Sequence, residues 1–225
     1  MSPWLFFVLL GCAAALTALS VREHKRSRQS RMVLLDAAVP AVESAIVSHG
    51  GDGFPRLDGR FKGFEVRAEL IPDTMVVRRL PQLWLSVTLL APMPHVQPFG
   101  VLVRYAGNEF YALTPDFEHP LEPPAGLPRE VLIRARQPEA QGTLDRLRLP
   151  IAKLLADPKI KEVAITAKGL RIVRQAAEGR RGEHLLLRQA VFDTPGVSAA
   201  ELRDILENLE ALRSLLKLPF DIRAA

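Results

Sequence analysis

The apolar positions begin with a continuous run at the N-terminus. Residues 3–21 include 19 positions without a charged side chain. A helix of that length spans about 28 Å, close to the thickness of the hydrocarbon core of a bilayer. The run therefore predicts a transmembrane helix, with Trp4 at one end as an interfacial aromatic residue.

Two other interpretations of this run stay open. Ala18-Leu19-Ser20 resembles a signal-peptidase site, and Leu9-Leu10-Gly11-Cys12 resembles a lipobox. Both kinds of signal normally carry a basic residue before the apolar run, and none precedes it here. We therefore expect a retained anchor, with cleavage or lipidation and a periplasmic location as alternatives.

A basic strip follows the apolar run and holds most of the formal net charge of +5: Arg22, Lys25, Arg26, Arg28 and Arg31 against Glu23. The positive-inside rule predicts that the following domain lies on the cytoplasmic side of the cell inner membrane. The same side chains are candidates to contact anionic lipid headgroups, although a topology signal needs the same strip. Because the remaining chain is nearly neutral, nucleic-acid binding is not expected.

After the strip, the apolar positions between Met32 and Val47 repeat at helical spacing, with Pro40 as a break. Alternation with a period of two then predicts strands, which we read as an antiparallel meander. These predicted strands are Arg60–Leu70, Leu83–Leu90, Phe99–Tyr105, Asn108–Ala112 and Val131–Arg136.

A second group of elements begins near Leu149, where Pro150 suits the first turn of a helix that Pro158 closes. A hairpin over 161–165 and 170–173 and a strand over 184–192 follow. Ser198 and Glu201 form a capping box before a leucine-rich helix that ends near Pro219. Its apolar stripe predicts packing on its own sheet, with a homodimer through a short heptad as the alternative.

The predicted fold class is α+β: a transmembrane helix, then one domain with a mainly antiparallel sheet packed by helices. The order of elements also suggests an internally duplicated helix-plus-strands unit. The predicted segments are an anchor (1–21), a basic juxtamembrane strip (22–32), a helical stalk or first helix (33–50), the α+β domain (51–219) and a tail (220–225).

Catalytic motifs, metal-ligand clusters and nucleotide-binding loops are not found in the sequence, so no cofactor is predicted. Asp116, Glu118 and His119 share a proline-bounded loop, where a solvated acidic loop is favoured over a metal or acid–base site.

A second set of basic residues is a candidate partner-binding surface: Arg171, Arg174, Arg180, Arg181 and Arg188. Glu178 and Glu183 are interleaved among them, so ordinary surface charge is the simpler interpretation.

Three segments resemble bacterial single-pass membrane-anchored proteins of unassigned function: residues 59–64, residues 80–85 and residues 157–171. The resemblance implies no active site.

The sequence therefore predicts a non-enzymatic binding or scaffold domain that holds a protein partner or a lipid at the membrane. A carrier of a hydrophobic ligand is the first alternative, and an enzyme with dispersed catalytic residues is the second.

Overall fold

The computed structural model describes residues 3–74, 80–180, 192 and 194–217. The described helices are α1 (Pro3–Met32), α2 (Gln141–Leu155) and α3 (Ala199–Lys217), with 3₁₀ helices at Asp36–Ala41, Thr114–Asp116 and Pro138–Ala140. The strands are β1 (Glu43–His49), β2 (Pro55–Phe61), β3 (Phe64–Asp73), β4 (Gln82–Leu90), β5 (Phe99–Val103), β6 (His119–Pro120), β7 (Val131–Ala135), β8 (Ile160–Thr166) and β9 (Gly169–Glu178).

All nine described strands belong to one sheet, in the order β1-β2-β3-β4-β9-β8-β5-β7-β6. Every strand pair is antiparallel. The two groups of strands predicted from the sequence meet where β4 pairs with β9 along its whole length. The strands therefore share one continuous hydrophobic core.

One face of the sheet, here called the inner face, is covered by α2, α3 and the 3₁₀ helix Asp36–Ala41. Alternate residues of the central strands point to this face because side chains along a strand alternate between the two faces. Leu85 and Val87 of β4, Val163 of β8 and Ile172 of β9 are buried there. The opposite face is called the outer face.

Helix α3 begins directly after the predicted capping residue. The backbone amide of Glu201 donates to Ser198 Oγ at 3.2 Å. The apolar stripe of α3 packs into the chain's own core, through Leu202, Ile205, Leu206, Leu209, Leu212 and Leu216. A homodimer through this helix remains a prediction, with Leu215 37% exposed on the helix surface.

The predicted transmembrane anchor over residues 1–21 is wrong. Within the residues that the structure describes, no helix has both the length and the apolar character that crossing a membrane requires. The apolar run and the basic strip belong to the same helix, α1. Residues 3–21, whose lack of charge was the basis of the prediction, therefore do not form a separate element.

Residues 33–50 also differ from the predicted helix. The chain forms a 3₁₀ helix at Asp36–Ala41 that contains Pro40, and then the edge strand β1. Proline lacks a backbone N–H and so disfavours an α-helix at this position, although α2 accommodates one proline, Pro150. Pairing of Glu43 to His49 with β2 replaces the helical hydrogen bonds.

Several boundaries were also predicted wrongly. Helix α2 begins at Gln141 and contains Pro150 in its interior. The predicted strand over 108–112 belongs to an irregular segment of the outer face. The predicted strand over 184–192 lies outside the described residues except for Phe192, which bridges to Gly179.

The packing of α3 predicts a contrast between two leucines of that helix. Leu209→Ala removes a side chain with 0% exposure and should lower the free energy of unfolding by about 2–5 kcal/mol. Leu215→Ala, on the partly exposed side, should change it by only about 0.5 kcal/mol. Urea unfolding of both variants measures the difference, and equal losses would contradict this orientation of α3.

Candidate functional site

A segment of 15 residues, 104–118, crosses the outer face between β5 and β6 and is here called the strap. Tyr111 of the strap stacks on Trp84 of β4, with ring centroids 4.8 Å apart. Thr114 lies fully buried over Gly100 of β5, where a Cβ atom on the glycine would come within 2.2 Å of Thr114 Oγ1. The missing side chain of Gly100 therefore lets the strap sit directly on the sheet.

The first charged anchor of the strap is a buried ion pair. Lys161 of β8 donates from Nζ to Glu109 Oε1 at 2.9 Å and to the carbonyl of Arg104 at 2.6 Å. The Glu109 carboxylate also accepts the backbone amides of Ala106, Gly107 and Asn108. One carboxylate thus organises the tip of the strap and ties it to the sheet.

The environment of Glu109 changes its pKa in two opposing ways. Burial alone would raise the pKa, because it disfavours the charged form. The hydrogen bond from Lys161, the amides of Ala106 and Gly107 and the positive charge of Lys161 outweigh burial and hold the pKa of Glu109 below its ordinary value. The ionised pair is therefore the stable form of this anchor at neutral pH.

The second charged anchor is Glu162, the next residue of β8, whose side chain is 0% exposed. Its Oε1 accepts the amide of Leu113 at 2.7 Å, the amide of Thr114 at 2.8 Å and Thr114 Oγ1 at 2.8 Å. Its Oε2 has no hydrogen-bond partner within the described part of the chain. These bonds hold the start of the 3₁₀ helix Thr114–Asp116.

A β-bulge explains how two consecutive residues both reach the strap. Ile160 pairs with Arg174 and Glu162 pairs with Val173, which leaves Lys161 as the extra residue of β8. In a regular strand, neighbouring side chains would point to opposite faces. The bulge breaks that alternation, as bulges do where a side chain must be redirected.

A cleft of about 400 Å³ opens beside the strap, toward the turn between β8 and β9. Its floor is formed by outer-face positions that neighbour each other in register: Leu90 beside Gly169 and Thr88 beside Arg171. We call this cleft the strap pocket. It is lined by Arg67, Glu69, Thr88, Leu90, Pro98, Leu113, Phe117, Arg136, Thr166, Ala167, Lys168, Gly169 and Arg171.

The charges around the strap pocket are unequal, with four cationic side chains and one carboxylate, Glu69. Arg67 is ion-paired with Asp58 at 2.7 Å. Arg171 donates to Ser86 Oγ at 2.9 Å and to the carbonyl of Tyr111, which are both neutral acceptors. The pocket therefore combines an apolar wall from the strap with a positively charged rim.

A larger depression along helix α1 is a weaker candidate. Residues between Ala14 and Gln29 line it, and all of them belong to that helix. Because no second element closes it, a ligand there would keep most of its surface in water.

The predicted arginine cluster does not form one surface. Arg171 lies on the outer face at the strap pocket, whereas Arg174 lies on the inner side and pairs with Asp157 at 3.0 Å and with Glu201 of α3. Arg180 is exposed beyond the end of β9. Arg181 and Arg188 lie outside the described residues. Of the described members of the predicted set, Arg171 alone lines the pocket.

The predicted acidic trio of Asp116, Glu118 and His119 is exposed at the end of the strap. Among the described residues, no group of three or more His, Cys, Asp or Glu side chains is placed to hold a metal ion.

The basic strip lies at the C-terminal half of α1. Arg31 stacks over the ring of Phe54 at 5.3 Å, and Arg28 lies against Gly53. His49 Nε2 is 3.0 Å from the carbonyl oxygen of Met32. Arg22, Lys25 and Arg26 are exposed, as is Trp4. Binding of these residues to lipid headgroups remains a prediction.

Glu109, Lys161 and Glu162 were not predicted from the sequence as functional residues. A signal was present, because Lys161 and Glu162 are two charged residues inside the otherwise apolar run of β8 (IKEVAIT). Arg136 and Lys168 carried no comparable signal, since each is a single basic residue in a polar turn.

Comparison with models of protein families finds no match to this chain, and comparison with curated proteins finds no similar protein. The function is therefore inferred from the geometry of the site.

The buried ion pair predicts a large effect of losing its cation. Lys161→Ala leaves Glu109 buried without a counter-charge and should lower the free energy of unfolding by about 3–5 kcal/mol. Glu207→Ala breaks the exposed ion pair with Lys62 and should cost less than about 1 kcal/mol. Urea unfolding measures both variants, and similar losses would show that the Lys161–Glu109 pair is not buried in solution.

The lowered pKa of Glu109 predicts a pH dependence with a definite sign. The ionised carboxylate contributes stability above the ordinary glutamate pKa of 4.5, and this contribution is lost as the pH falls through the lower folded-state pKa. The stability gap between wild type and Glu109→Gln should therefore be full at neutral pH and close progressively below pH 4.5. Chemical unfolding at several pH values measures the gap, and a constant gap would contradict the lowered pKa.

Proposed function

We propose that this chain is a non-enzymatic binding domain whose strap pocket takes a small organic ligand with an apolar portion. The observation that carries the proposal is the pocket itself, a cleft of about 400 Å³ beside Leu90, Leu113 and Phe117. Sites for small ligands typically measure about 300–1,000 Å³ and combine apolar walls with a few polar groups.

The composition of the lining supports binding over catalysis. General acid–base catalysis requires a group that exchanges a proton near the working pH, most often histidine. The lining residues include no histidine or cysteine, and three of the four cationic residues are arginines, which stay protonated. Glu69 is the single carboxylate.

This proposal keeps the ligand-carrier function that was the first alternative from the sequence, but it places the ligand in the strap pocket. A carrier with its ligand in the core would need an internal cavity where the C-terminal helix closes over the sheet. The inner face below α3 is instead filled by leucine and isoleucine side chains with exposures of 0–9%. The strap pocket on the outer face offers space for an apolar group beside Leu113 and Phe117. Binding of a protein partner and catalysis by Asp116, Glu118 and His119 both remain predictions.

Two phenylalanines of the strap provide a matched test. Phe117 lines the pocket, whereas Phe110 is 58% exposed away from it and contacts Tyr111. Phe117→Ser should weaken binding of octanoate about tenfold, because a buried aromatic ring contributes roughly 1.5–3 kcal/mol. Phe110→Ser should leave the affinity unchanged.

Isothermal titration calorimetry with octanoate measures both affinities on the full chain, with circular dichroism as the check that each variant is folded. Absence of octanoate and octanol binding to wild type, or equal losses in the two variants, would overturn the proposed site.

A further inference from the structure

We infer that the ligand of the strap pocket carries an anionic head, a carboxylate or a phosphate, at one end of its apolar portion. This inference rests on the proposed function and specifies the chemical class of the ligand. Three cationic side chains support this inference, because they meet at one cleft without a carboxylate partner among the described residues: Arg136, Lys168 and Arg171.

The three cations come from separate parts of the chain. Arg136 follows β7, Lys168 lies in the turn between β8 and β9, and Arg171 stands on β9. Their approach to one cleft is therefore produced by the sheet order, in which β5 lies between β7 and β8. Like charges placed together repel each other, and an anion between them would remove that repulsion.

Some other cations of this sheet are paired with carboxylates, and others, such as Arg134 of β7, donate to backbone carbonyls. Lys161 is paired with Glu109, Arg174 with Asp157 and Glu201, and Arg67 with Asp58. In the strap pocket, Arg171 is oriented by Ser86 and by the carbonyl of Tyr111, and it has no carboxylate ion-pair partner among the described residues. A guanidinium has five donors, so donors remain for a ligand.

The apolar wall of the strap pocket strengthens binding of an anionic head group. Leu113 and Phe117 of the strap stand beside the cationic rim and are each partly shielded from water. An ionic contact gains strength where apolar groups exclude water. Carboxylates and phosphates also match the fork of an arginine with two parallel hydrogen bonds. An amphipathic anion would satisfy both halves of the pocket at once.

The experiment compares three probes with the same tail on the full chain: octanoate, octyl phosphate and octanol. Calorimetry should show that wild type binds at least one anionic probe about tenfold or more tightly than octanol. The double variant R136Q/K168Q should lose this preference while retaining weak binding of octanol. It leaves Arg171 in place, because that side chain also ties the strap to β9.

The matched control is R148Q/K153Q on α2, which removes the same charge at two exposed positions that do not line the pocket. It should keep the preference for the anionic probe. A preference for octanoate would identify a carboxylate head, and a preference for octyl phosphate would identify a phosphate head.

Equal affinity of wild type for all three probes would overturn the inference and leave the proposed function standing. Equal loss of the preference in R136Q/K168Q and R148Q/K153Q would also overturn it, because net charge and not the pocket would then be responsible. Binding of none of the three probes would overturn the proposed function as well.

Discussion

The outer face depends on the burial of three charged side chains, Glu109, Lys161 and Glu162, between the strap and β8. Burying a charge is costly unless a counter-charge or several hydrogen bonds compensate it. Here the ammonium of Lys161 neutralises Glu109, and five backbone amides of the strap are bound by the two carboxylates. An irregular segment without strand hydrogen bonds is thereby held on the sheet at a defined position.

The strap pocket exists because of this arrangement. Leu113 donates its backbone amide to Glu162, and its side chain lines the pocket a short distance away. Arg171 binds the carbonyl of Tyr111, which is also stacked on Trp84. The apolar wall and part of the cationic rim are thus fixed by the same contacts that anchor the strap. A substitution at Glu109, Lys161 or Glu162 should therefore also alter the strap pocket, because the backbone of the strap connects them.

The hydrophobic pattern was informative where an element is both regular and half-buried. The hairpin of β8 and β9 and the start of α3 after Ser198 lie where alternation and the capping box predicted them. The hydrophobic pattern gave a wrong prediction where an apolar run was compatible with two different structures. Residues 33–50 show helical spacing but form a 3₁₀ turn and an edge strand, because Pro40 disfavours an α-helix and β2 offers strand pairing. The charge-free run of residues 3–21 predicted a membrane span that the described helices do not provide.

The sequence by itself determined the alternation of the central strands, the amphipathic stripe of α3 and the absence of a recognisable catalytic motif. These properties depend on neighbouring residues along the chain. The tertiary structure alone decided that Arg136 and Lys168 join Arg171 at one cleft. Such proximity arises from strand order, which brings together residues that are distant in sequence.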